Sequence, residues 1–260
     1  MRILYFDCFS GASGDMILGA LLDCGIEFEA FKKELDKLKV EGYSIEVSRT
    51  AKNGISAMDV NVILEEHDHH HDHEHENEHH GHHEHRNLED IEDIIDKSEL
   101  SSNVKDTSKR IFKKLALAEA KVHGKTVHEI HFHEVGAVDS IIDIVGASIC
   151  FDMLKIDKFI ASPVNTGMGF VKCQHGIIPV PGPAAIELLK GFPIYSMDIN
   201  TELITPTGAA ILSTLCESFG PIPSMVIENT GYGAGKKNLD IPNLIRLIIG
   251  DEKKKMTAHG

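Results

Sequence analysis

Eleven of the chain's 17 histidines (His67, His69, His70, His71, His73, His75, His79, His80, His82, His83 and His85) fall within nineteen consecutive residues. Asp68, Asp72, Glu74, Glu76, Glu78 and Glu84 are interleaved with them. Neutral imidazole is a good ligand for nickel, copper and zinc, and many flexible copies give labile, multivalent capture rather than one rigid site. The carboxylates lower the electrostatic cost of gathering divalent cations. The density points to metal capture rather than to a solvated linker, although imidazole affinity peaks at copper, so the tract alone does not select nickel.

A second constellation lies at His128-Glu-Ile-His131-Phe-His133-Glu134, followed by Asp139 and Asp143. On an extended segment His131 and His133 share a face, with Phe132 opposite. Two imidazoles so placed are expected to grip a divalent metal, with Glu134, Asp139 or Asp143 completing the set; surface or capping histidines are the alternative. Asp143 sits among Ile and Val, where an unpaired charge is expensive, so it reads as a helix cap or as a ligand. His128 is the weaker ligand candidate. His123, before Gly124, suits a favourable contact with a helix C-terminus, and His175 reads as a hairpin-turn residue.

Three approaches to helix starts share one chemistry. They are Ser10-Gly11-Ala-Ser13-Gly14-Asp15, Val180-Pro-Gly-Pro-Ala184 and Thr205-Pro-Thr207-Gly208-Ala. Small residues let backbone N–H groups be approached closely, and helix N-termini favour negative charge. Pro183 and Pro206 suit the first helical position and Thr205 the cap. A fourth candidate, Gly231-Tyr-Gly233-Ala-Gly235-Lys236-Lys237, reads as a glycine-rich turn beside two cations. Ser10, Gly11, Ser13, Gly14, Thr205, Thr207, Gly208, Gly233 and Lys236 are therefore the expected binding residues for a phosphorylated small molecule. Asp7 and Asp15 bracket the first turn, where a carboxylate could ligate a phosphate-bound divalent cation or simply cap the helix. Neither a P-loop nor a Gly-x-Gly-x-x-Gly fingerprint is present.

The elements that must position these groups read as α/β: mixed sheet or sheets with flanking helices, interrupted by a disordered His-rich loop. Strands are expected at 3–6, 43–47, 55–64, 158–161, 169–172, 194–197, 225–228 and 244–248, and helices at 16–22, 28–38, 88–95, 104–122, 139–154, 183–189 and 206–215. Residues 1–64 and 88–250 are read as two α/β parts, 65–87 as the metal-binding insert and 251–260 as a polar tail. The whole chain has 260 residues, 42% hydrophobic, enough for a substantial core. Its net charge of −14 argues against nucleic acid. No apolar run approaches the length of a membrane span, and the N-terminus stops being apolar too early for a signal peptide. Five cysteines without a Cys-x-x-Cys pair fit a reducing cytoplasm.

Six motifs in order resemble one known family. They are Phe6-Asp-Cys-Phe-Ser-Gly-Ala-Ser-Gly-Asp-Met16, His131-Phe-His-Glu-Val-Gly-Ala-Val-Asp-Ser-Ile-Ile-Asp143, Ser162-Pro-Val-Asn-Thr-Gly-Met-Gly169, Val180-Pro-Gly-Pro-Ala184, Glu202-Leu-Ile-Thr-Pro-Thr-Gly-Ala209 and Gly231-Tyr-Gly-Ala-Gly235. The family is LarC, the nickel-insertion proteins of the nickel-pincer cofactor pathway. The resemblance implies a nickel chelatase or cyclometallase of the lyase class. It would place Ni(II) into pyridinium-3,5-bisthiocarboxylic acid mononucleotide, with one nickel–carbon and two nickel–sulfur bonds, making the cofactor of lactate racemase and related enzymes. It implies CTP and manganese as helpers, and a base near the ring carbon, for which Glu134 and Asp143 are the candidates.

Family members usually continue well over a hundred residues further, in a part linked with nucleotide binding. This chain is therefore expected to be an N-terminal fragment or to have a separately encoded C-terminal half as partner. A homo-oligomer without nucleic-acid or membrane partners is expected. Two other readings compete: a nickel metallochaperone or store needing only the histidine tract, and an enzyme of phosphorylated metabolites indifferent to nickel.

Overall fold

The apolar run at the N-terminus forms β1 (Arg2–Asp7), and the rest of the fold is laid out around it. The computed structural model describes residues 1–65, 86–130, 132, 138–173 and 176–252. The eleven tract histidines, His131, His133, Glu134 and His175 thus lie outside the described residues.

After β1 come α1 (Gly14–Asp23), α2 (Phe28–Leu35), β2 (Tyr43–Lys52) and β3 (Ile55–Leu64). Past the insert follow α3 (Leu88–Lys97), α4 (Ser102–His123), α5 (Val138–Leu154), β4 (Lys158–Ala161) and β5 (Val164–Asn165). Next are the hairpin β6 (Phe170–Cys173) and β7 (Gly176–Pro179), then α6 (Pro183–Leu188) and β8 (Ile194–Tyr195). The chain continues through α7 (Pro206–Leu215), β9 (Ser218–Phe219), β10 (Met225–Ala234) and β11 (Leu244–Glu252). Seven strands join in one mixed sheet in the order β2-β3-β10-β11-β1-β4-β9, so both flanks of the insert contribute. β1 runs antiparallel to β11 and parallel to β4, and β10 meets β3 in parallel at Gly233 and Met58.

Strand alternation sorts the side chains of β1. Leu4 and Phe6 join the main core with the helices, whereas Ile3 and Tyr5 form a small cluster with Ile160 and Ile248 on the other face. Phe6, Phe151 and Phe159 lock α5 against β1 and β4, with the Phe151 and Phe159 rings edge-to-face at 5.1 Å. Phe6 and Phe151 are buried and Phe159 partly so, and full burial of such a side chain contributes roughly 1.5–3 kcal/mol. α5 is apolar nearly all round and is buried from Ile144 to Phe151, which leaves Asp143 as a carboxylate on a core helix.

Helix boundaries follow local chemistry. Asn87 and Asp90 form a reciprocal capping box at the start of α3. Ser101 accepts from the Val104 N–H at the start of α4, and Gly124, left-handed at φ 62°, ends that helix. His123 lies in the last turn with Glu119 3.4 Å away.

Two expectations need correction. The helix expected over 28–38 is α-helical only to Leu35 and tightens into a 3-10 turn at Asp36–Leu38. The glycine-rich turn expected at 231–235 is mostly strand, because β10 runs on to Ala234. Its glycines serve packing: a Cβ on Gly233 would stand 1.7 Å from the Met16 carbonyl oxygen, and one on Gly231 2.1 Å from that of Ala20. α1 can lie this close to β10 only where side chains are missing.

Candidate functional site

Three segments meet where β1 gives way to α1. The loop between them is bound to the approach to α7 by Ala12 N–H to Leu203 O at 2.9 Å and Thr205 N–H to Ala12 O at 3.1 Å. Gly11 has φ +77°, and a Cβ there would stand 1.9 Å from Leu203 O; a Cβ on Gly208 would stand 2.3 Å from Ala12 O. These glycines bring two helix N-termini side by side. The third segment is the end of β10, which delivers Lys236.

Between them lies a cavity of about 370 Å³ lined by Ser13, Gly14, Asp15, Asn61, Asp139, Ser140, Asp143, Glu202, Thr205, Thr207 and Lys236, with Val60, Val62 and Pro206. That volume is in the range of small-ligand sites. Its place, beyond the carboxyl end of β1, is where open α/β sheets bind ligands. Asp15 accepts at Oδ1 from the Ser13 hydroxyl and from the Met16 N–H, the latter at 2.9 Å. Thr205 Oγ1 accepts from the Gly208 N–H at 3.2 Å and caps α7. Lys236 donates to Asp59 Oδ1 and, at 2.6 Å, to the Val60 carbonyl, and stands 3.6 Å from Asp15 Oδ2.

Asp143 lies in the second turn of α5 and is no cap, since that helix starts at Val138. Its Oδ1 is buried without a hydrogen-bond partner. Burial pushes its carboxyl well above the usual range, the nearby Asp15 and Asp139 carboxylates push further, and Lys236 opposes them. Asp139, in the first turn, accepts from the Ser140 N–H at 2.7 Å. The wall therefore carries four carboxyl groups and one ammonium, with Asp143 pushed toward its protonated, neutral form. A helix N-terminus favours an anion by about 0.3–1 kcal/mol, up to roughly 2.

Of the expected binding residues, Ser13, Gly14, Thr205, Thr207 and Lys236 line the cavity, as do Asp139 and Asp143. Ser10, Gly11, Gly208 and Gly233 stand behind the wall and shape it by packing. Asp7 is engaged elsewhere: Arg246 holds its Oδ2, with Nε at 3.0 Å. His128 is exposed, its Nδ1 2.9 Å from Glu89 Oε1, in a second cavity of about 350 Å³ at the start of α3. Near it, the Phe132 N–H donates to the Arg86 carbonyl at 3.1 Å, and Phe132 is buried. The chain leaving the insert is thus tied to the residue between His131 and His133. Among the described residues no three His, Cys, Asp or Glu side chains converge to hold a metal ion. Sequence reasoning gave no role to Glu202, Asn61 and Asp59. Glu202 opens one of the six motifs, whereas Asn61 and Asp59 lie on an ordinary alternating strand and carry no signal.

The family model described as nickel insertion protein matches residues 4–259. The chain belongs to this family. It is similar to the pyridinium-3,5-bisthiocarboxylic acid mononucleotide nickel insertion proteins of Acetivibrio thermocellus (54% identical, over 98% of this chain and 62% of the relative) and Clostridium kluyveri (50%, over 98% and 63%). A protein of the same name from Desulfitobacterium hafniense is 49% identical over 96% of this chain and 59% of its own length. The chain spans about three fifths of the length of the curated relatives it matches. No solved structure matches it. Among the described residues no helix is long and apolar enough to cross a membrane.

Proposed function

We propose that this chain takes part in nickel insertion into pyridinium-3,5-bisthiocarboxylic acid mononucleotide, holding the mononucleotide in the cavity at the α1 and α7 N-termini and supplying the nickel from its histidines. The observation that carries the reading is the junction itself: two helix starts, Ser13, Thr205, Thr207 and Lys236 facing one cavity of mononucleotide scale. The tie between Arg86 and Phe132 supports a route for metal, because it brings the end of the tract to the motif containing His131 and His133. Nickel is cargo here. It must leave imidazoles for two sulfurs and a ring carbon, and labile multivalent ligands suit that release better than a closed site.

Loss of the ring proton needs a base. Asp143 lines the cavity and Glu134 belongs to the neighbouring motif, and both remain candidates. CTP and manganese enter this proposal through the family resemblance. Manganese suits carboxylate oxygens, which Asp15, Asp139 and Asp143 offer, and it would supply a hard positive charge next to a phosphate.

The test is reconstitution. The chain, Ni(II), the dithiocarboxylate mononucleotide, CTP and Mn(II) are combined, and cofactor is read as activity restored to a metal-free racemase. Formation is expected, and a chain lacking residues 66–85 should still form cofactor at saturating nickel. Insertion lost at every nickel concentration in that deletion would favour a nickel carrier instead.

A further inference from the structure

The large sheet has two outer edges and a third, partial one. β2, on one side, carries Glu46, Arg49 and Lys52, and β9, on the other, is only two residues long. Charge and shortness are what keep sheet edges from pairing with other chains. The partial edge belongs to β10, which has β11 beside it throughout but meets β3 only where Gly233 faces Met58. β3 starts at Ile55, three residues before Met58, so in parallel register it begins level with Thr230, and Met225–Asn229 project past it. Where the two strands part, Asp23 takes the Tyr232 N–H at 2.9 Å and pairs with Arg49 of β2 at 2.8 Å. No such plug serves Met225–Asn229: among the described residues their backbone partner strand is β11 alone.

The side chains there are apolar and uncovered. Val226 is 58% exposed, Ile227 54% and Ile222, in the preceding loop, 45%. Met225 packs on the small cluster of Ile3, Tyr5, Ile160 and Ile248, and Ile227, two residues on, shares its face. That cluster therefore runs out to the free edge and ends open. The one charge in the stretch, Glu228, is balanced by Arg2 at 3.3 Å, so a second chain of net charge −14 meets no unpaired acid at this place. An antiparallel strand edge is complementary to itself about a two-fold axis, because the donors and acceptors of one copy face the acceptors and donors of the other. We propose that the free edge of β10, Met225–Asn229, docks the same strand of a second copy. The two sheets then join into one, and each copy's Ile227 covers the open end of the other's cluster. The cavity lies toward the far end of β10, roughly 20 Å from Ile227 along the strand, so pairing leaves both cavities open. The interface is independent of what the cavity binds.

A contact this short falls at the small end of specific interfaces, so the dimer should form at about 10–100 μM. Sedimentation velocity of the full chain across that range should show monomer giving way to dimer. Ile227→Lys puts a charge into the paired edge and should weaken association about tenfold or more. Phe170→Lys, at a 70% exposed apolar position on the β6–β7 hairpin, is the control and should leave association within about twofold. Amide exchange over Met225–Asn229 should slow severalfold between dilute and concentrated samples. A monomer throughout the range would overturn the proposal, as would exchange in this stretch that ignores concentration. Association unchanged by Ile227→Lys, or weakened equally by Phe170→Lys, would overturn the assignment to β10. Should Ile227→Lys fail to fold, the exchange measurement on the unaltered chain still decides.

Discussion

A carboxylate in the second turn of a helix as apolar as α5 lowers stability unless a proton or a cation answers its charge. Asp143 is in that position: its folded pKa is raised by burial first and then by Asp15 and Asp139. The unfolded chain loses this proton near pH 4 while the folded chain keeps it. Stability contributed by the protonated group is therefore full below about pH 4 and declines as pH rises through the folded pKa. In metal-free buffer, Asp143→Asn should be increasingly favoured over the native residue above about pH 4, by up to about 1.4 kcal/mol per pH unit, levelling off once folded Asp143 ionises. Urea denaturation of both proteins between pH 4 and 8 measures this; a constant difference across that range would sink it. Residue types at the site were legible in the sequence, but partners were not. Asp7 and Asp15 bracket the same turn with the same chemistry, and only the fold gives one to Arg246 and the other to the cavity. Nothing local in the chain announces an arginine 239 residues away.

Elements were easier to read than their junctions. Runs with clear periodicity, such as α4 and β3, lie close to their expected bounds, because an amphipathic helix and an alternating strand need no partner to show their pattern. The segment 231–235 misled because glycine is poor in strands and common in turns, so local preference argued against the pairing with β11 that overrides it. Its cause lies in α1, two hundred residues earlier. Gly233→Ala would drive a Cβ into the Met16 carbonyl and the Ala20 amide, both backbone atoms of a packed helix that cannot swing aside. A loss of about 3 kcal/mol or more is expected, and with it a shift of Lys236. Gly220→Ala, with nothing within 4 Å of the added carbon, is the control and should change stability by less than about 0.5 kcal/mol. Equal effects in chemical denaturation would refute the close contact between α1 and β10.

At the scale of the molecule, the sheet order interleaves strands from before and after the histidine tract, with β3 beside β10 and β1 between β11 and β4. That arrangement could not be read from a single sequence, since pairing over such separations leaves no local pattern. It does determine what removing the tract should do. The residues flanking the tract are fixed by contacts of their own: Asn87 caps α3, the Glu65 N–H donates to Gly42 O, and the Phe132 N–H donates to Arg86 O. Loop length enters closure entropy only logarithmically, about 0.6 kcal/mol per doubling. Replacing residues 66–85 by a short Gly-Ser linker should therefore change stability by no more than about 1 kcal/mol while removing eleven of the 17 histidines. Nickel bound per chain in equilibrium dialysis should fall severalfold, whereas binding of nicotinate mononucleotide should stay within about twofold, because Ser13, Thr205, Thr207 and Lys236, which line the cavity, all lie outside the deleted segment. Nickel capacity unchanged by the deletion would move capture onto the remaining histidines. Ester binding lost with the tract, at unchanged stability, would mean that the insert itself belongs to the substrate seat, and that gathering the metal and holding the mononucleotide are one site rather than two.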